Sequence, residues 1–128
     1  MEHKVKLLKL LEEEREEKES DAGAMKFDAN KPRMGLLEPE FLEGVANVLG
    51  FGASKYEYMN WKKGISSERL YGALLRHITA SMKGEDIDPE SGLDHLHHAA
   101  CNLMYLSWML KNRPDLDTRG VNENRSNS

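Results

Sequence analysis

The sequence predicts a small all-α bundle with long loops rich in Gly and Lys. Three stretches, residues 41–49, 67–83 and 93–111, repeat apolar residues every three or four positions, which is the spacing of an amphipathic helix. No stretch shows the strict alternation of apolar and polar residues that is typical of a half-buried strand. Because the chain has 128 residues, we expect these helices to share one core.

The composition excludes several classes of function. The chain carries 18 Lys and Arg against 22 Asp and Glu, a net charge of -4, so it has no positive surplus for binding a nucleic-acid polymer. The single cysteine, Cys101, lies in an apolar helical run; we expect an unreactive core residue in a reducing cytoplasm. Neither a signal peptide nor an apolar run of membrane-spanning length is present, so we expect a soluble, cytoplasmic protein without a membrane partner.

The domain should occupy residues 21–113, between a charged helical arm at residues 1–20 and a flexible tail at residues 114–128. Three leucines of the arm share one face at helical spacing: Leu7, Leu8 and Leu11. Glutamates replace this apolar stripe further on, so the arm should dock against another surface, as in a homo-oligomer, rather than form a coiled coil. A frayed helix in solvent is the alternative.

Turn residues dominate residues 21–38, which we expect to be a loop. A small β-hairpin within residues 24–38 is the alternative. Pro39 suits the first position of a helix, and Gly50 and Gly52 should end that helix. A second loop, rich in Gly, Lys and aromatic residues, then follows.

Two longer core helices come next. The first should cover residues 67–83. Ser91 should cap the second, with Asp94 completing a capping box. This helix should continue to Lys111, because Pro114 cannot extend it.

The last core helix carries a polar stripe beside its apolar face. Its members recur every three or four residues: His95, His98, Asn102 and Tyr105. Burying an unpaired polar group costs about 1 to 3 kcal/mol, so the stripe favours a polar cavity. His77, on the preceding helix, would face these histidines, and Arg76 beside it could bind a phosphate through two parallel hydrogen bonds. Histidines that serve packing and an arginine in a surface ion pair are the alternatives.

Five carboxylates lie close together between these helices: Glu85, Asp86, Asp88, Glu90 and Asp94. Such a density of negative charge requires a counter-charge, which a divalent cation supplies through oxygen ligands. Neutral imidazole is a further common metal ligand. We expect a metal site formed by Glu85, Asp88, Asp94 and His95; a solvated acidic turn is the alternative.

Positive charge is concentrated in the loops on either side of the first core helix. The first loop carries Lys26 and Lys31, and the second carries Lys55, Tyr56, Asn60, Trp61 and Lys63. Aromatic rings stack on bases and lysines bind phosphates. Together these residues indicate a pocket for a small anion with an aromatic ring, although each lysine alone is typical of a solvated surface. The chain contains neither G-x-x-x-x-G-K-[ST] nor G-x-G-x-x-G, nor histidine and aspartate in the order H…HD…D.

Several ordered blocks of the sequence resemble one known family. The blocks are Lys26-Phe27-Asp28, Lys31-Pro32-Arg33-Met34, Phe51-Gly52-Ala53-Ser54-Lys55-Tyr56, Asn60-Trp61-Lys62-Lys63-Gly64, Leu74-Leu75-Arg76-His77, Gly84-Glu85-Asp86-Ile87-Asp88-Pro89-Glu90-Ser91-Gly92 and His95-x-x-His98-Ala99-Ala100-Cys101-Asn102. Across residues 24–110 the chain is similar to the phage dATP/dGTP diphosphohydrolase (MazZ-type) domain, a relative of the MazG-like nucleotide pyrophosphohydrolases.

The resemblance implies an all-α enzyme that uses Mg²⁺ or Mn²⁺ to cleave a purine deoxynucleoside triphosphate, dGTP or dATP, into the monophosphate and pyrophosphate. Such an enzyme would reshape a phage nucleotide pool in the host cytoplasm. MazG-like enzymes hold metal with an E-x-x-E helix followed by an E-x-x-D helix. Here Glu40-x-x-Glu43 matches the first, and His95-x-x-His98 stands in place of the second. The resemblance therefore leaves the metal ligands open.

On this hypothesis the remaining candidate residues have two kinds of role. Catalysis is assigned to His77, His98 and Arg76. Substrate binding is assigned to Lys26, Lys31, Lys55, Tyr56, Asn60, Trp61 and Asn102. A protein that binds nucleotides without turnover is the alternative, and a helical adaptor that assembles through its arm is a third possibility.

Overall fold

The computed structural model describes residues 2–20 and 23–120, and in the first range the side chains of residues 3–12. Its helices are α1 (Glu2–Ser20), α2 (Pro39–Lys55), α3 (Ser67–Met82) and α4 (His95–Asn112), with 3-10 turns at Met34–Leu36, Asn60–Lys63 and Pro114–Leu116. Two short antiparallel strands, β1 (Ile87–Asp88) and β2 (Leu93–Asp94), form a hairpin between α3 and α4. The predicted all-α class is confirmed. Among the described residues, no helix combines the length and the apolar character needed to cross a membrane.

The chain divides into two units, Met1–Leu36 and Leu37–Ser128. The first unit contains α1, so the helix predicted for the arm is present; docking of the arm remains a prediction. No strand forms in residues 23–38. Turn hydrogen bonds shape this loop instead, including one from the Lys31 amide to the Asp28 carbonyl at 3.1 Å. The alternative of a hairpin in this stretch is therefore wrong.

The core of the second unit lies between α3 and α4. Its buried apolar side chains are Leu70, Leu74, Ala99, Leu106 and Met109. Their spacings of three, four and seven residues place them on one face of each helix, so one face of α3 packs against one face of α4. Removal of this apolar surface from water is the main source of free energy that holds the two helices together. α2 also packs against α4, and its buried residues are Gly44 and Val48.

Helix α2 begins where the sequence predicts and ends later. Pro39 occupies its first turn, and the Glu38 carboxylate accepts a hydrogen bond from the Phe41 amide at 2.8 Å. The expectation that Gly50 and Gly52 end the helix is wrong, because neither glycine adopts the positive φ of a helix stop. The helix therefore continues to Lys55.

The hairpin replaces the capping box expected at Ser91. Asp94 is the N-cap of α4, since its carboxylate accepts the Leu96 amide at 2.8 Å. Ser91 Oγ instead accepts the Leu93 amide at 3.1 Å, inside the turn of the hairpin. Gly92 has a φ of 72°, a conformation that favours glycine, and its amide bonds the Asp88 carbonyl at 2.7 Å. This turn fixes β1 beside the start of α4.

Packing continues beyond the C-terminal boundary that we expected at residue 113. Leu116 packs against the core cluster. The Thr118 amide donates to Ser67 Oγ at 2.7 Å, and Thr118 Oγ1 accepts the Glu68 amide at 3.0 Å. Thr118 thus caps the first turn of α3 from a distant part of the chain. The rest of the predicted tail, residues 121–128, lies outside the described residues.

Replacing Gly44 by alanine should destabilise the protein. A Cβ at this position would overlap the imidazole ring of His97 on α4. The ring would have to move, disturbing its edge-on packing with Phe41 at 5.2 Å between centroids. We expect Gly44→Ala to lower the free energy of unfolding by about 1 to 3 kcal/mol, measured by denaturant titration.

Gly50→Ala is the matched control in the same helix. A Cβ there meets nothing within 4 Å, so the variant should gain about 0.5 to 1 kcal/mol from the better helix propensity of alanine. If Gly44→Ala is as stable as Gly50→Ala, the close approach of α2 and α4 at His97 is not as described.

Candidate active site

Three side chains from three different elements meet at one end of the α3–α4 pair. They are His77 of α3, Asp88 of β1 and His98 of α4, and their potential metal-binding atoms lie within 4.8 Å of one another. The two imidazole rings stack with 4.5 Å between centroids and 5° between planes. His98 Nε2 lies 3.6 Å from Asp88 Oδ2. We call these three residues the histidine–aspartate cluster.

A chain of hydrogen bonds leads from this cluster to a carboxylate. His95 Nδ1 lies 2.8 Å from His77 Nδ1, and His95 Nε2 lies 2.7 Å from Glu85 Oε1. Both ring nitrogens of His95 are therefore paired. Only 5% of the His95 surface is exposed, so water has little access to these two bonds. The predicted meeting of His77 with His95 and His98 is confirmed.

Further polar contacts orient the other members of the cluster. Asp88 Oδ1 accepts the Glu90 amide at 3.0 Å. Ser91 Oγ lies 2.7 Å from His98 Nε2. Asn102 Nδ2 donates to the His98 carbonyl at 3.0 Å, one helical turn earlier. The sequence does not predict the contact between Ser91 and His98, because a serine before an apolar helical run is equally typical of a helix cap.

Both histidines of the cluster favour their neutral form. Burial lowers the pKa of His77, and the nearby His98 and His95 lower it further. Burial also lowers the pKa of His98, while the charge of Asp88 opposes this effect. Because an imidazole binds a metal through an unprotonated nitrogen, these shifts favour metal binding near pH 7.

The cluster opens into a cavity of about 580 Å³ between α2, α3 and α4. Arg76 and Lys55 bring positive charge to its wall, and Glu90 brings negative charge. Lys55 Nζ and Glu90 Oε1 form an exposed ion pair at 2.7 Å, which raises the pKa of Lys55. Of the predicted site residues, this cavity is lined by Lys55, Tyr56, Arg76, His77, Asp88, His95, His98 and Asn102.

A second, mainly apolar cavity of about 390 Å³ adjoins the first. The two cavities share Gly52, Tyr56 and Tyr105 in their walls. Asn60 and Trp61 line only the apolar cavity of these two. Burial raises the pKa of Tyr105 to about 12, so its hydroxyl keeps its proton and remains a donor at neutral pH.

The two aromatic residues expected to hold a base differ in their surroundings. The Trp61 ring packs on Tyr105 at 4.8 Å and edge-on to Trp108 at 5.2 Å, and it contacts the core cluster. Tyr56 is 57% exposed at the boundary of the two cavities. Tyr56 is therefore the better placed ring for stacking on a ligand.

The predicted metal ligands are only partly brought together. Of the four, Asp88 belongs to the histidine–aspartate cluster. Asp94 caps α4, and Glu85 binds His95 rather than joining the cluster. Both ring nitrogens of His95 are hydrogen-bonded, one to His77 and one to Glu85, whereas His77 and His98 lie beside Asp88 in the cluster. Helical spacing alone does not show which nitrogen atoms are already bonded.

Lys26 and Lys31 belong to the first unit, and their roles in substrate binding remain predictions. Tyr105 lines both cavities and is not among the residues that the sequence predicts for the site. Its place on the polar stripe of α4, next to Asn102 in helical spacing, was the signal that could have identified it.

Comparison with known proteins identifies relatives. Residues 21–119 match the family model described as dATP/dGTP diphosphohydrolase, N-terminal. A protein of Salmonella phage PMBT28, described as dATP/dGTP diphosphohydrolase, is 44% identical over 108 residues, which cover 79% of this chain and 37% of the phage protein. The chain thus spans little more than a third of that relative's length. No solved structure matches the chain significantly.

Cys101 should resist alkylation in the folded protein. Its side chain is 1% exposed and its Sγ donates to the Val45 carbonyl at 3.4 Å, as expected for a core residue. Burial raises the pKa of this thiol to about 11, so the reactive thiolate is scarce at pH 8. Mass spectrometry after treatment with iodoacetamide should show an unmodified native chain and one adduct after denaturation. Rapid labelling of the native protein would contradict the packing of α2 on α4.

Proposed function

The chain belongs to the dATP/dGTP diphosphohydrolase family, and we propose that it hydrolyses dGTP and dATP to the corresponding monophosphate and pyrophosphate. One observation carries this proposal: a polar cavity with the histidine–aspartate cluster adjoins an apolar aromatic cavity, and the two share Tyr56 and Tyr105. A nucleotide has the same division into a charged triphosphate and an aromatic base. The triphosphate would bind in the first cavity and the base in the second.

The polar cavity offers the groups that phosphate transfer requires. Arg76 can bind two phosphate oxygens at once, and Lys55 adds a second positive charge. Both residues would stabilise the negative charge that develops on the leaving pyrophosphate. Lys26 and Lys31 remain candidates for the same role.

The donor groups of the cluster suit a divalent ion, which is the cofactor that we propose. Two neutral imidazoles and a carboxylate form a ligand set that suits divalent transition metals. Bound Mg²⁺ or Mn²⁺ would supply charge neutralisation at the phosphates and an acidified water. His77, Asp88 and His98 would hold the ion. The Glu90 amide keeps Asp88 oriented, and the Ser91 hydroxyl would give up its bond to His98 Nε2 when the ion binds.

The base would be held at the apolar cavity. The exposed Tyr56 ring offers a face for stacking. Asn60 lies in the wall of the same cavity and carries both a donor and an acceptor for the edge of a base. Trp61 supports this wall through its contacts with Tyr105 and Trp108.

The setting of the reaction is part of the same proposal. The relative is a phage protein, so we expect the reaction to change the deoxynucleotide pool in the cytoplasm of an infected host.

Exposed apolar side chains on α3 and α4, such as Leu75, Met82 and Leu103, favour assembly of a homo-oligomer.

The purified chain should convert dGTP and dATP into monophosphate and pyrophosphate. We would incubate it with each deoxynucleoside triphosphate and either Mg²⁺ or Mn²⁺, then separate the products by anion-exchange chromatography. Recovery of intact triphosphate, with binding shown by calorimetry, would instead establish a nucleotide-binding protein without turnover. Release of inorganic phosphate in place of pyrophosphate would show cleavage at a different bond.

Replacing Arg76 by alanine should lower kcat/KM for dGTP by about 100-fold, since a charged group that stabilises the leaving pyrophosphate is lost. Arg69→Ala is the matched control, because Arg69 is an exposed arginine of the same helix that does not line the polar cavity. Steady-state assays of pyrophosphate release compare the two. Equal rates in both variants would remove Arg76 from the site.

A further inference from the structure

We infer that His77, Asp88 and His98 bind a divalent transition metal, and that Glu85 and His95 act as positioning residues that set the proton on His77. This inference rests on the proposed function for the role of the ion, but metal binding can be measured without turnover. It also replaces the ligand set expected from the sequence, in which Glu85 and His95 bind the metal directly.

The spacing of the cluster suits a single ion. With metal–ligand bonds of about 2.0 to 2.2 Å, two donors on the same ion lie roughly 3 to 3.6 Å apart. His98 Nε2 and Asp88 Oδ2 are 3.6 Å apart already. The Ser91 hydroxyl, 2.7 Å from the same nitrogen, would release it when the ion binds. All three potential donors lie within 4.8 Å of one another, so modest side-chain rotations would bring them around one ion.

The two carboxylate oxygens of Asp88 have different neighbours. Oδ1 accepts the Glu90 amide at 3.0 Å, whereas Oδ2 faces the His98 ring. The hydrogen bond from the hairpin backbone therefore restrains the carboxylate while one oxygen stays directed at the cluster. Asp88 needs no rearrangement of the backbone to act as a ligand.

The proton positions follow from the hydrogen-bond chain. A carboxylate only accepts, so the 2.7 Å bond to Glu85 places the proton of neutral His95 on Nε2. His95 Nδ1 then carries a lone pair and must accept from His77 Nδ1 at 2.8 Å. His77 therefore keeps a lone pair on Nε2, which is the form that binds a metal.

This arrangement matches the way proteins support metal-binding histidines. A ligand imidazole commonly donates its other N–H to a carboxylate or carbonyl, which fixes the tautomer and the ring orientation. Here a second imidazole, His95, stands between the ligand and the carboxylate. Because His95 is 5% exposed, water competes little for either bond.

The ligand chemistry distinguishes between divalent ions. Mg²⁺ prefers six oxygen ligands and dehydrates reluctantly. Imidazole nitrogen favours transition metals, and affinity rises from Mn²⁺ to Co²⁺ in the usual order. The cluster should therefore bind Co²⁺ and Mn²⁺ at least tenfold more tightly than Mg²⁺.

The test is metal binding to the full chain after treatment with a chelator. Isothermal titration calorimetry with Co²⁺, Mn²⁺ and Mg²⁺ gives affinity and stoichiometry, and the visible absorption of Co²⁺ reports its ligands. We expect one high-affinity site per chain. Asp88→Asn and His98→Gln should each weaken Co²⁺ binding at least tenfold and change or abolish the spectrum. Thermal unfolding shows whether each variant is folded. Asp88 lies on the hairpin rather than on a core helix, so Asp88→Asn should disturb the fold less than His98→Gln.

Glu85→Gln tests the positioning role. The ligands remain, so the Co²⁺ spectrum should keep its shape while the affinity falls about 10- to 100-fold. Asp86→Asn removes a neighbouring charge without touching the hydrogen-bond chain and should bind as the unmodified chain does. Equal losses in both variants would indicate general electrostatic attraction and overturn the positioning role.

The outcomes separate this inference from the proposed function. Failure of the unmodified chain to bind Co²⁺ or Mn²⁺, or unchanged binding in both Asp88→Asn and His98→Gln, overturns the metal centre. In that case pyrophosphate release with Mg²⁺ would still support the hydrolase. A chain that binds Co²⁺ as expected but returns dGTP intact contradicts the hydrolase alone.

Discussion

The hydrogen-bond chain from Glu85 through His95 to His77 is the interaction on which the rest of the site depends. It joins the start of α4 to α3 and to the turn after α3, with heavy-atom distances of 2.7 and 2.8 Å. The His95 amide adds a bond to the Asp86 carbonyl at 2.9 Å. Without these partners, a histidine buried to this degree would carry the full cost of losing its bonds to water. The same bonds leave His77 and His98 beside Asp88.

The elements around the site differ in how well they are packed. α3 and α4 share the apolar core, so His77 and His98 are carried by the best-packed elements of the second unit. α2 contributes Lys55 and Tyr56 from its C-terminal end, where the helix meets a loop. If the proposed function holds, the metal-binding groups are fixed by the core and the substrate-binding groups are more adaptable.

Much of the fold was accessible from the sequence, because helical periodicity depends on local residue order. The start of α2 at Pro39, the extent of α3 and the facing of His77 toward α4 all follow from spacing. The continuation of α2 past Gly50 could not be predicted from the sequence, since glycine is compatible with both the end and the interior of a helix. The proposed choice of metal ligands could not be predicted from the sequence either, because only the three-dimensional structure shows that His95 is hydrogen-bonded to both Glu85 and His77. Ser91 was misassigned for a similar reason, because a turn and a helix cap use the same residue type.

The tautomers of His77 and His95 decide whether the hydrogen-bond chain leaves a nitrogen of His77 available to a metal ion. Long-range ¹⁵N–¹H correlation spectra of the metal-free chain near pH 7.5 distinguish protonated from unprotonated ring nitrogens. We expect a proton on Nε2 of His95 and on Nδ1 of His77, with Nε2 of His77 unprotonated. A proton on Nε2 of His77 would contradict this expectation, because that nitrogen would then be unable to bind a metal ion.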